Sequence, residues 1–130
     1  MGKTLLALAA MAVLLGCQAG RRADLESSVE SYVRAISRKD TRMAMAYVSP
    51  QYQVGYQKNL HLLEGVRFSH IEVQTIFPDE KVENAVASVF VEFFSDTGSE
   101  IRTARRNFRW AYEPKIKTWV LAETNPLGTN

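Results

Sequence analysis

The period of the hydrophobic pattern changes halfway along this chain, and that change limits the folds open to it more than any other feature. Up to about Gly65 the apolar residues recur at helical spacing; beyond it they alternate. Leu25, Val29, Tyr32, Val33 and Ile36 form one stripe, with Asp24 as the expected N-cap and an end near Arg38. Asp40 reads as the N-cap of a shorter helix bearing Met43, Ala44, Tyr47 and Val48, which Ser49-Pro50 closes. Tyr52, Tyr56, Leu60 and Leu63 predict a third helix, weakened by Gly55 and ended by Gly65. Ile71, Val73, Thr75 and Phe77 then alternate as in a half-buried strand. A turn at Pro78–Lys81 leads to a second strand with Ala85, Val89, Val91 and Phe93. Asp96–Ser99 is a tight loop before a long third strand, Glu100 to Tyr112. Pro114 marks the next turn, and Thr118–Glu123 is the last strand. Helices followed by a meander of strands predict an α+β domain, N-terminal helices packed on a four-stranded antiparallel sheet.

The first 16 residues stand outside this pattern. Lys3 precedes an uncharged apolar run from Leu5 to Leu15, 11 residues long. That is too short to span a membrane, which takes about 20 residues, but it suits a secretory leader. The run stops at Leu14-Leu15-Gly16-Cys17, and Cys17 is the chain's single cysteine. This tetrapeptide resembles the lipobox of bacterial lipoproteins, although Leu15 is bulkier than usual. The resemblance implies cleavage before Cys17 and a diacylglycerol on its sulfur. Palmitate-type acyl chains would then hold the protein in the cell envelope. Gln18, where an Asp would favour the inner membrane, points to the outer membrane in a Gram-negative cell. The expected layout is a signal peptide at 1–16, a lipidated tether at 17–23, a domain at 24–124 and a loose tail at 125–130.

Without Lys3 the mature chain carries 15 basic and 14 acidic side chains, which gives no reason to expect a nucleic-acid partner. One cysteine permits no internal disulfide, so stability rests on the core. His61 and His70 are isolated, and with Cys17 they make no metal-ligand spacing; neither a metal nor a cofactor is expected. No Gly-x-Ser-x-Gly or similar catalytic motif is present.

Val33-Arg34-Ala35-Ile36-Ser37-Arg38-Lys39-Asp40, with Ala46-Tyr47-Val48-Ser49-Pro50, resembles the opening of nuclear transport factor 2-like (cystatin-like cone) domains. Trp110-Ala111-Tyr112 and Lys117-Thr118-Trp119-Val120-Leu121 resemble their closing hairpin. The resemblance covers about residues 24–124. It implies a strongly curved sheet wrapped around the helices, leaving a conical pocket. Members include isomerases, cyclases, dehydratases, transport adaptors and lipoproteins without chemistry, so it implies no one activity. Its enzymes use an Asp or His base with a Tyr or Asp donor, and no such set can be placed here. Among Glu72, Glu83, Glu92, Glu100 and Glu123, most fall at strand ends or on the polar parity.

One register argument singles out a cation. If Asp96–Ser99 is a four-residue loop, Ala85 faces Trp110, Ala87 faces Phe108, Val91 faces Ala104 and Val89 faces Arg106. The opposite face pairs Ser88 with Asn107, Phe90 with Arg105 and Val86 with Arg109. Arg106 then lies on the buried face and needs a partner, for which Glu123 is the candidate. The other arginines of this strand, Arg102, Arg105 and Arg109, are divided between its two faces and overstate any basic patch. Arg106, Tyr32, Tyr56 and Trp110 are the candidate ligand contacts; each aromatic is equally suited to plain core packing. Three functions follow: a membrane-tethered, non-catalytic binding or assembly lipoprotein; a small-molecule carrier or sensor using the cone; or an isomerase or cyclase-type enzyme. Whether this is an enzyme is open, and a binding role is the better match. The partners expected are the membrane, through Cys17, and an envelope protein or small ligand.

Overall fold

The computed structural model describes the backbone of residues 2–98 and 100–130 and the side chains from residue 18 onward, Ser99 excepted. The Cys17 side chain, and with it the lipidation reading, lies outside the described residues. Three helices, α1 (Gly2–Ser37), α2 (Thr41–Ala46) and α3 (Gln53–Lys58), precede four strands, β1 (Val66–Pro78), β2 (Asn84–Ser95), β3 (Arg102–Glu113) and β4 (Thr118–Leu121). The strands form one antiparallel meander in the order β1-β2-β3-β4. The α+β class expected from the change of period is the fold observed.

The helical stripe is buried as anticipated, with Leu25, Val29, Tyr32, Val33 and Ile36 all in the core. Asp24, however, is not an N-cap. Helix α1 runs through it, because the Leu- and Ala-rich stretch before it favours helix and supplies no stop. Among the described residues no helix is long and apolar enough to cross a membrane. The helix ends at Lys39, whose φ of 57° is left-handed. Lys39 N–H donates to the Ile36 carbonyl and Asp40 N–H to that of Ala35, at 3.0 and 2.9 Å, a Schellman closure. Asp40 then caps α2, its Oδ1 accepting from Met43 N–H at 3.1 Å. The third helical segment is broken into 3-10 turns at Pro50–Tyr52 and Leu60–Leu63 around α3. Gly55 permits a close approach to Thr124, whose methyl carbon would lie 2.6 Å from any Cβ there.

Strand β1 departs from its simple alternation. Its register to β2 shifts between Phe68 and His70 and again between Val73 and Thr75. Each shift is a bulge that reverses the parity. Phe68, Ile71, Val73 and Ile76 therefore pack on the core, while Phe77 is turned outward and is 60% exposed.

The β2–β3 register is the one anticipated from the loop: Val89 lies opposite Arg106, Ala87 opposite Phe108 and Ala85 opposite Trp110. Strand β4 is shorter than expected and pairs only with Trp110 to Glu113. The rest of the β3 edge is taken by the chain's own end. Ala122 N–H donates to Arg109 O at 2.8 Å, and Asn107 and Thr129 exchange two bonds of 2.7 and 2.8 Å. The tail expected to be loose is thus a docked strap. It satisfies backbone groups of a strand that would otherwise present an open edge.

Candidate functional site

The space between the helices and the sheet is filled by aromatic rings. Tyr32, from α1, meets Phe108 and Trp110 edge-on at centroid distances of 5.7 Å each, and Tyr47 packs against both Tyr32 and Trp110. Tyr56, Trp119 and Leu121 complete this buried cluster. The Tyr32 hydroxyl donates to the Pro126 carbonyl at 2.9 Å and lies 2.9 Å from the Tyr56 hydroxyl. Tyr32's single proton being spent on Pro126, Tyr56 is the donor between them. Burial raises both phenol pKa values, that of Tyr56 to about 12, so both hydroxyls stay neutral. Trp110 Nε1 is buried with no hydrogen-bond partner.

Beside this cluster a pocket of about 250 Å³ opens, lined by Leu62, Val66, Phe68, Val91, Phe93, Ala104, Arg106, Asn125 and Leu127. Its walls are apolar and Arg106 is its one charged residue. Parity brings Arg106 there, since β3 presents residues 104, 106, 108 and 110 to the same side. Arg106 does not pair with Glu123. Its Nε donates to Leu127 O and an Nη to Gly128 O, both at 2.7 Å, and the other Nη binds Asn130 Oδ1. The strap thus surrounds the guanidinium with acceptors, as a bound carboxylate would.

Glu123 has a different role. Its Oε2 accepts from Arg109 N–H at 2.6 Å, and its Oε1 is buried without a partner. Burial raises its pKa, with Arg109 and Arg106 opposing the shift. Its charge in turn helps to raise the pKa values of Tyr32 and Tyr56. A half-buried carboxylate beside two phenols is chemically suggestive, but Glu123 is not among the residues that line the mouth pocket.

Of the four candidate contacts read from the sequence, Arg106 lines this pocket. Tyr32, Tyr56 and Trp110 stand behind it in the packed core. The histidines are apart: His61 Nδ1 lies 2.9 Å from Lys58 O, and His70 pairs with Glu72 on the outer face. Sequence reasoning missed Leu62, Val66, Phe68, Phe93 and Leu127 as pocket walls. The alternation of Val66 with Phe68 was a signal for two of them. At the end of the sheet a second groove of about 400 Å³ is lined by Tyr52, Ala85 and Trp110 from the core side and by Phe77, Val86 and Arg109 from the outward-facing positions.

No family model and no curated protein matches this chain. Its architecture is similar to that of solved structures. One is a SEC-C motif containing protein from Rhodopseudomonas palustris, with TM-score 0.62, 14% identity, and coverage of 83% of this chain and 87% of that one. Another is a candidate polyketide cyclase from Xanthomonas campestris pv. campestris, with TM-score 0.55, 12% identity, and coverage of 78% and 91%. At such identities the likeness is one of fold.

Proposed function

We propose that this chain is a lipid-anchored, non-catalytic binding or assembly module with a nuclear transport factor 2-like domain. On this reading it is exported, held in the cell envelope by lipid on Cys17, and placed at the outer membrane where the cell has one. The observation that carries the binding role is the filled cone. Tyr32, Phe108, Trp110 and Trp119 occupy the space in which a superfamily enzyme would hold substrate, and the one cation of the mouth pocket is engaged by the strap. The outer sheet face, with Phe77 60% and Val86 38% exposed, is then the docking surface.

Two measurements test this. Metabolic labelling with a fatty acid should mark the wild type, and Cys17→Ala should release the protein from membranes or block its processing. An unlabelled wild type cut at another position would refute the anchor. A photo-crosslinker at Phe77 should capture an envelope protein in cells. Capture only from Leu62, at the cone mouth, would move the binding role to the pocket.

A second reading, a carrier or sensor of a small anion with an apolar body, is favoured by Arg106 at the mouth of that pocket. Tyr32 would hold the strap behind it through Pro126. An isomerase or cyclase-type enzyme would have to recruit Glu123 and its unpartnered oxygen.

A further inference from the structure

The segment that follows Cys17 is fixed to the domain instead of being a free tether. Trp119 Nε1–H donates to the Arg21 carbonyl at 2.8 Å. The Arg21 guanidinium lies over the Tyr112 ring, 4.3 Å from its centroid, and Tyr112 packs edge-on against Trp119 at 5.6 Å. Only Gln18, Ala19 and Gly20 separate Cys17 from this clamp, and α1 is continuous through them. At 1.5 Å of rise per residue, Arg21 stands about 6 Å along the helix from Cys17. Even fully extended, those residues reach only about 14 Å.

The clamp grips the end of the sheet where β3 turns into β4. That turn is Pro114-Lys115-Ile116-Lys117, all exposed, with Ile116 62% exposed and Lys117 in the left-handed region at φ 51°. Glu113 Oε1 accepts from Lys115 N–H at 3.2 Å and shapes the bend. An apolar tip flanked by two lysines, with exposed Arg22 beside the clamp, is the pattern of a surface that meets lipid headgroups. The β1–β2 turn at the same end is acidic, with Asp79, Glu80 and Glu83 against Lys81, and its Glu83 reaches the clamp: the Glu83 carbonyl accepts from Tyr112 N–H at 2.8 Å, and Glu83 lines one cleft with Arg21 and Pro114. The basic apolar tip thus lies beside the anchor, with Glu83 as the acidic neighbour that Lys115, Lys117 and Arg22 must outweigh at a bilayer.

We propose that the β3–β4 turn is a membrane-contact site: Ile116 enters the headgroup layer and Lys115, Lys117 and Arg22 engage anionic lipid phosphates, so the domain lies in one fixed orientation on the bilayer. This rests on the reading of Cys17 as acylated. A rigid link of about 6 Å is shorter than the Debye length of about 8 Å in physiological salt, so these charges lie within the field of an anionic surface. The opposite end of β3 supplies an internal control. Ile101 is 61% exposed, as apolar as Ile116, and lies about 35 Å away along the strand.

The test uses the acylated full-length product carrying either Ile116→Cys or Ile101→Cys. The acylated Cys17 sulfur is a thioether, so the introduced thiol alone takes an environment-sensitive dye. The proteins are placed in vesicles of phosphatidylethanolamine and phosphatidylglycerol containing a lipid with a quencher in its acyl chain. The dye at 116 should shift to the blue and be quenched several-fold more than the dye at 101. Adding Lys115→Glu and Lys117→Glu should remove most of that difference. If the protein is retained on vesicles but the two dyes are quenched alike, the contact site is refuted and the anchor stands. If the chain is not acylated and is not retained, both readings fall.

Discussion

Gly128 holds the strap at the one point where only glycine fits, so Gly128→Ala measures what the strap contributes. Its φ is +68°, where an L-residue costs about 1–2 kcal/mol. An added Cβ would also overlap the Asn107 carbonyl oxygen. That neighbour is backbone of a paired strand and cannot rotate away, so the strap must lift. Lifting forfeits the two Asn107–Thr129 bonds and the strap's hold on Arg106. At about 0.5–1.5 kcal/mol for each of the two neutral bonds, and the low end of about 1.5–3 for each of the two to the guanidinium, the loss is about 4–6 kcal/mol. Gly65→Ala is the control: its φ is +72° but open space surrounds it, so it should cost only about 1–2 kcal/mol. Urea unfolding followed by the fluorescence of buried Trp110 and Trp119 reads the difference. With a slope of about 1–1.5 kcal/mol/M, Gly128→Ala should lower the midpoint by about 3–5 M. In an Arg106→Gln background it should cost clearly less, because both changes release the same strap. The reasoning is refuted if Gly128→Ala costs no more than Gly65→Ala, or if the two losses simply add.

Two further outcomes follow from the same structure. Burial raises the Glu123 pKa in the folded state, so its contribution to stability is complete below the ordinary carboxyl value of 4.5 and is lost as pH rises through the folded value. Glu123→Gln should then melt above the wild type at neutral pH, the gap closing in acid; a gap independent of pH would contradict this. Ile76→Ala should cost about 2–4 kcal/mol and Phe77→Ala less than about 1 kcal/mol, by thermal or urea unfolding. The reverse order would mean that the Gln74 bulge is absent.

Helix stripes, the Asp40 cap and the β2–β3 register were all legible because each rests on local pattern. The register in particular followed from one loop length and the requirement that one face be apolar: Val89 opposite Arg106 was readable before any coordinates. The bulges in β1 were not. A bulge adds one residue without a compositional mark, so Ile71, Val73, Thr75 and Phe77 kept the appearance of unbroken alternation past Gln74. Val82 is another such case: a buried β-branched residue at φ 54° is a conformation that local propensity disfavours and that core packing imposes.

The strap has a different origin, because its cause lies in the strand it covers. Strand β3 runs from Arg102 to Glu113, but β4 pairs only with its last four residues, Trp110 to Glu113. The outward backbone groups of Arg109 and Asn107 therefore need partners from elsewhere. Glu123 and Ala122 supply one set, and Thr129 the other. Pro126, carried between them, accepts the Tyr32 proton, and Leu127 and Gly128 turn their carbonyls to Arg106. One shortage of strand partners thus fixes the tail, satisfies a buried phenol and occupies the cation. This sets a condition on any ligand at Arg106. An anion reaching that guanidinium must first displace the strap, so its affinity is reduced by the fraction of molecules in which the strap is lifted. Releasing the strap with Gly128→Ala should for that reason strengthen anion binding at the mouth even as it weakens the fold.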